Sequence, residues 1–352
     1  MPQLVVRTRS GRVESIHHGY ICITDSDGKI VYSIGNPQAR IFLRSSGKPI
    51  IANALVNSGA IEKFNLSLKE LAVIVSSHDG TAYHRRIVKS ILNKIGVSEK
   101  YLECGRKNPE SPKVKKALMM LNIRPGPIFS NCSGKHAGVL ALCKYYGYPV
   151  EGYTNPAHPV QQLIRSTIAD ILNLGTENII VGMDGCTMPT YNLSLYQVSY
   201  LYSLLAHGKQ HKGKYSDSFE IIKNAMTRYP KAVKGKGTFC TDLIYYSEGR
   251  AVGKIGAEGI YCIAIPERKL GVCIKMFDGH PRTSYPVVVR VLEELGILDA
   301  ETVRKLDQWT FPKVRNDKGD TVGYLHTSFS LLNNETGSFE LGDNYPKEGT
   351  RI

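Results

Sequence analysis

Apolar runs of strand length stand near both ends of the chain. Gly19 to Thr24 and Lys29 to Ile34 flank Asp25-Ser26-Asp27-Gly28, whose Asp-Gly supplies the positive-φ positions of a hairpin turn. Gly259 to Ile265 and Leu270 to Phe277 flank Pro266-Glu267-Arg268-Lys269 as a second hairpin, and a helical stretch follows from Tyr285 to Leu295. Between the hairpins the pattern is mainly helical. Ser67-Leu68-Lys69-Glu70 spells a capping box, Ser111-Pro112 an N-cap with proline at N1, and Gly59, Gly96 and Gly147 fall where helices end. Further helices are expected over Pro159 to Asn173, Leu195 to His207 and Ser218 to Tyr229. A helix-rich middle between β-rich ends predicts an α+β fold. Its N- and C-terminal strands share one antiparallel sheet packed with helices, and a helical part is inserted. Residues 1–327 are read as a single catalytic unit and 328–352, polar and poor in apolar positions, as a tail.

Composition narrows the class. A chain of 352 residues with 42% hydrophobic and 22% charged residues has ample material for a core and is not disordered. No apolar run approaches the roughly 20 residues that span a bilayer, and the N-terminus lacks a signal-peptide pattern, so a soluble, cytoplasmic protein is expected. Eight scattered cysteines with no CxxC read as reduced thiols. The net charge is +14, and residues 1–150 hold 22 basic against 9 acidic side chains. Such a half attracts acidic partners, but no arginine-rich run is present and Lys94 to Arg124 interleaves Glu99, Glu103 and Glu110. A solvated surface is the expectation, with a non-catalytic basic binding protein as the competing class.

Five segments carry candidate chemistry. Arg44-Ser45-Ser46-Gly47-Lys48-Pro49 joins the strand Ala39 to Leu43 to a helix over Ile50 to Ser58. If Ser45 opens that helix, i,i+3 spacing puts its hydroxyl and the Lys48 amine on one face, a minimal nucleophile and base. The same SxxK spacing recurs in the turn Ser26 to Lys29, so alone it says little. Ser76-Ser77-His78-Asp79-Gly80, with His84, follows the buried-looking run Leu71 to Val75 and reads either as a functional edge or as an ordinary turn. Ser130 to Gly138 is a small-residue turn entering a helix, suited to an oxyanion or carboxylate. Gly182-Met183-Asp184-Gly185-Cys186 follows the strand-like Asn178 to Val181. Val252 to Gly259 sets Lys254 between glycines, where a second nearby cation depresses a lysine pKa. Neither a P-loop nor GxGxxG occurs, and zinc spacing is incomplete.

Taken together and in this order, the segments resemble the L-asparaginase II family of the rhizobial type. RSSGKP, SSHDG, NCSGKHAG, GMDGC, GKIGAEG and KMFDG carry the likeness over roughly nine tenths of the sequence. The resemblance implies a fold like the serine β-lactamases and glutaminases, hydrolysis of L-asparagine to L-aspartate and ammonia, and a homodimer. It further implies Ser45 with Lys48 and Ser77 with Lys254 as catalytic pairs, and Arg44, His136 and Asp184 at the substrate. Cys132, Lys135 and Cys186 fall at zinc-binding positions. A glutamine or other small-amide amidohydrolase is the nearest alternative, and no nucleic-acid or membrane partner is expected.

Overall fold

The computed structural model describes residues 1–333, 335 and 336. Eleven strands matter to the site: β1 (Gln3–Arg9), β2 (Arg12–Asp25), β3 (Ile30–Ile34), β4 (Arg40–Phe42), β5 (Ile180–Met183), β6 (Pro189–Ser194), β7 (Val252–Ile255), β8 (Ile260–Ile265), β9 (Leu270–Met276), β10 (Lys313–Arg315) and β11 (Thr321–Thr327). The main sheet runs β10-β11-β1-β2-β9-β8-β7 with β3 on β2, and its pairings are antiparallel. β4, β6 and β5 form a separate three-stranded sheet. The molecule is therefore α+β, with N- and C-terminal strands sharing a sheet and a helical part inserted between them.

Both expected hairpins form. Asp25 Oδ1 accepts from the amides of Asp27 (3.0 Å) and Lys29 (2.9 Å), closing the first turn with Gly28 at φ 83°. The Ser67–Glu70 capping box is complete, and Ser111 caps the helix Pro112–Met120. Other boundaries shift. β2 begins at Arg12 and pairs with β1, the C-terminal helix starts at Pro281, and Ser45 lies in a 3-10 turn, Arg44–Gly47, just before the helix Lys48–Asn57.

Period-two alternation decides which face of the sheet meets which layer. Cys22, Cys262 and Cys273 face the helical insertion, while Ile21, Ile23, Ile263 and Ile274 face the helix Pro281–Glu294. This second core extends to Phe329 and Leu331, both buried; the expected polar tail otherwise lies largely outside the described residues. Within the insertion, the helix Ser133–Tyr146 crosses the helix Leu68–Ile74 at very close range. A Cβ on Gly134 would sit 2.1 Å from the Val73 carbonyl oxygen, and one on Gly138 2.6 Å from Ile74 Cγ2. That approach brings the Asn131–Cys132 turn against Ser76 and Ser77. Among the described residues no helix is long and apolar enough to cross a membrane.

Candidate active site

The site is assembled where the helical insertion meets the free edge of the sheet. The helix Leu68–Ile74 ends at Val75, and the backbone then runs through Ser76 to Gly80, pinned by the Ser77 amide on Val233 O (3.0 Å) and the His78 amide on Asn131 O (3.2 Å). Ser77 is thereby held between two lysines. Lys48 Nζ lies 3.2 Å from Ser77 Oγ and donates to Ser76 O at 2.6 Å; Lys254 Nζ, from β7, lies 2.8 Å from Ser77 Oγ. Both lysines are almost completely buried, and among the described residues neither forms a salt bridge. Burial, then repulsion from Lys48, brings the Lys254 pKa down to about 7.

Ser45 is half-buried at the mouth of this array. Lys48 turns toward Ser76, Ser77 and Asn131, and among the described residues it makes no hydrogen bond to Ser45. The 3-10 turn explains this: Ser46 Oγ donates to Leu43 O (2.6 Å) and Tyr202 Oη to Ser46 O (2.6 Å), anchoring the turn while the helix begins only at Lys48. Two cavities meet at Ser45. One, of about 360 Å³, is bounded by Arg44, Cys132, Asp184 and Cys186; the other, of about 490 Å³, by Ser77, Lys234, Glu110 and Tyr285. Ser45, Lys107, Asn131 and Ala257 line both.

The first cavity gathers charged and thiol side chains on its wall. Arg44 Nε donates to Asp184 Oδ1 at 2.8 Å. Burial pushes the Asp184 carboxyl up, but the Lys135 and Arg44 cations outweigh it and hold it below the usual range. Lys135 Nζ lies 3.2 Å from Cys186 Sγ and 4.0 Å from Asp184 Oδ2. Cys132 is held well down by a hydrogen bond from Cys186, helped by Lys48 and Lys135 against the cost of burial. Arg44 (φ 49°), Thr187 (φ 69°) and Glu258 (φ 62°) all adopt left-handed backbone around the cavities. Each such residue costs about 1–2 kcal/mol, a concentration of strain typical of sites that aim side chains at a ligand.

His136 is fully buried and stands outside the cavity linings; its Nδ1 lies 2.6 Å from Tyr153 Oη, which accepts from the Glu103 amide at 2.9 Å. The histidines of the second segment support the loop from beneath. His78 Nδ1 accepts from the Gly80 amide (3.1 Å), leaving Nε2–H for Ser133 Oγ (2.8 Å), and His84 pairs with Asp79 at 2.7 Å. Sequence reasoning missed Asn131, Glu110 and Lys234. Glu110 accepts from Asn131 and Lys234 together, joining segments more than 100 residues apart that no local spacing connects.

Among the described residues no three His, Cys, Asp or Glu side chains are grouped to hold a metal ion, a count that leaves out lysine. Two solved structures share a distant likeness: a β-lactamase from Mycobacterium bovis (11% identity, TM-score 0.39, 74% of this chain and 88% of that one) and a putative β-lactamase from Bacteroides dorei (12%, 0.37, 73% and 84%). No curated protein sequence matches this one. The family model for L-asparaginase II matches residues 5–327, nearly everything the structure describes, and the protein belongs to that family.

Proposed function

We propose that this asparaginase-type amidohydrolase converts L-asparagine to L-aspartate and ammonia through a Ser-Lys acyl-enzyme. The observation that carries the reading is the position of Ser45, at the junction of the two cavities. The Arg44–Asp184 pair lies on one side and the Lys48–Ser77–Lys254 array on the other. Asp184 takes the substrate α-ammonium and Arg44 its α-carboxylate, exchanging their mutual ion pair for two charge-assisted contacts. This directs the side-chain amide at Ser45.

The two lysines share Ser77 as a proton conduit. With Lys254 neutral, Ser77 donates to it and accepts from Lys48, so one hop across the hydroxyl leaves Lys48 neutral. Lys48 then swings from Ser77 to Ser45 and removes its proton, the alkoxide attacks the amide carbon, and the proton returns through the array to the departing nitrogen. Water cleaves the resulting β-aspartyl ester by the reverse path. The test is ammonia release from asparagine, with glutamine as comparator. Turnover is expected to rise with pH through about 7 as Lys254 deprotonates; no ammonia from asparagine at any pH between 5 and 9, roughly, overturns the reading.

Cys132, Cys186 and Lys135 together offer two sulfurs and an amine at one wall, a soft donor set suited to Zn²⁺. A zinc ion held by these three would fix both sulfurs as thiolates and keep positive charge beside Asp184. Protein purified without added metal is expected to carry about one zinc per molecule by elemental analysis, and Cys186→Ser to lose it. Less than about a tenth of an equivalent, with no uptake of added zinc, sinks this assignment.

A further inference from the structure

Ammonia is a leaving group about the size of a water, whose share of liquid volume is about 30 Å³, yet the second cavity at Ser45 holds about 490 Å³. That volume lies in the range of small-ligand pockets. Its wall is also charged in a way ammonia does not use. Glu110 is already engaged by Lys234 and Asn131, with Lys107 at 3.5 Å, so two lysines face one carboxylate. Glu258 also lines this cavity, at its rim, and lies 3.7 Å from Arg44 Nη1. The formal charges on the lining balance, two lysines against two glutamates, so what the wall offers an anion is the spare donor capacity of Lys234. Lys234, with its side chain only 17% exposed, uses one of its ammonium hydrogens on Glu110 and retains others. The N-terminal end of the helix Pro281–Glu294 borders the same space through Pro281, adding a further preference for an anion.

We infer that the enzyme also cleaves β-aspartyl amides whose leaving amine carries a carboxylate, that is, β-aspartyl dipeptides, with the leaving amino acid seated in the second cavity. This rests on the Ser45 acyl-transfer reading. The bond from Ser45 Oγ to the amide carbon forms as the bond from that carbon to the amide nitrogen breaks. The serine proton is taken by Lys48, shared with Lys254 across Ser77, and handed back through Lys48 to the amine nitrogen as it leaves; water then releases aspartate and restores Ser45. The leaving carboxylate meets Lys234, and Tyr285 with Pro281 supplies the apolar wall for the rest of the leaving amino acid.

The experiment compares L-asparagine, β-aspartylglycine and N4-ethyl-L-asparagine, whose leaving amine is similar in size but uncharged. With the full-length protein, β-aspartylglycine is expected to yield equimolar aspartate and glycine. Its kcat/KM should exceed that of N4-ethylasparagine by about 10- to 100-fold, the worth of one charged hydrogen bond. Lys234→Gln should erase most of that preference. Turnover of asparagine without glycine release from β-aspartylglycine overturns this inference alone, as does a preference that Lys234→Gln leaves intact. Failure to turn over any of the three substrates overturns it together with the reading on which it rests.

Discussion

Ser45→Ala is expected to lower kcat for asparagine by about a thousand-fold or more, with the fold and substrate affinity preserved. The side chain is half-buried and, among the described residues, makes no hydrogen bond that supports the 3-10 turn; that turn is anchored instead by Ser46 and Tyr202. Removing Oγ therefore takes away the attacking atom and little else. Ser77→Ala is the informative contrast. Ser77 does not line the cavity that holds Arg44 and Asp184, so as a conduit its loss slows proton movement and leaves an attacking serine in place. Rapid-quench measurement of the acyl-enzyme separates the two: no acylation in Ser45→Ala, slowed acylation in Ser77→Ala. An alanine at position 45 that still forms a covalent intermediate, with an alanine at 77 that does not, assigns the attack to Ser77.

Much of this architecture was legible from the residues. The two hairpins, the Ser67 capping box and the shared terminal sheet follow from local patterns that tertiary packing left intact. The strands β1, β10 and β11 were not, because they lie toward one margin of the sheet and carry mixed sequences such as Lys313–Arg315, whose partner is more than 300 residues from β1. Pro286 hid the first turn of the helix Pro281–Glu294, which His280 and Pro281 nonetheless initiate. The basic stretch 94–124 divides: the helix Pro112–Met120 buries none of its residues, as a solvated surface should, whereas Arg106 and Lys107 line the active-site cavities.

At the site, the family resemblance singled out Ser45, Lys48, Ser77 and Lys254, and the fold brings Lys48, Ser77 and Lys254 together, but direction was invisible in the sequence. Spacing of i,i+3 predicts that Ser45 and Lys48 share a helix face, whereas the change from 3-10 to α geometry between them sends the lysine toward Ser77. The second cavity was legible only in part. Ser45, Ser77, Asn131 and 255–258 come from segments the sequence singled out, whereas Lys107, Glu110, Lys234, Pro281 and Tyr285 are each ordinary in their own segments.

Lys254→Met is expected to abolish turnover while making the protein more stable. Among the described residues Lys254 has no carboxylate partner, so its fully buried ammonium is a cost to the fold, and Lys48 nearby increases it. The sign of the linkage follows from proton counts. In the unfolded state a lysine keeps its proton to about pH 10.4, whereas Lys254 in the folded protein loses it near 7. Between those values the unfolded state binds more protons, so its contribution to stability rises with pH; below about 7 the full penalty is present. Methionine fills similar volume with no charge to desolvate. The variant should gain about 1–4 kcal/mol near pH 7, read from denaturant midpoints, and should lose the upward slope of stability between pH 7 and 10, roughly. Its kcat should fall by about a thousand-fold or more, because Ser77 loses the amine that accepts its proton and the relay from Lys48 is cut. A variant that is less stable than the parent, with the pH slope unchanged, means that Lys254 is a charged structural brace and that the base lies elsewhere. The expected pairing of lost activity with gained stability is the mark of a lysine kept buried for its chemistry at the expense of the fold.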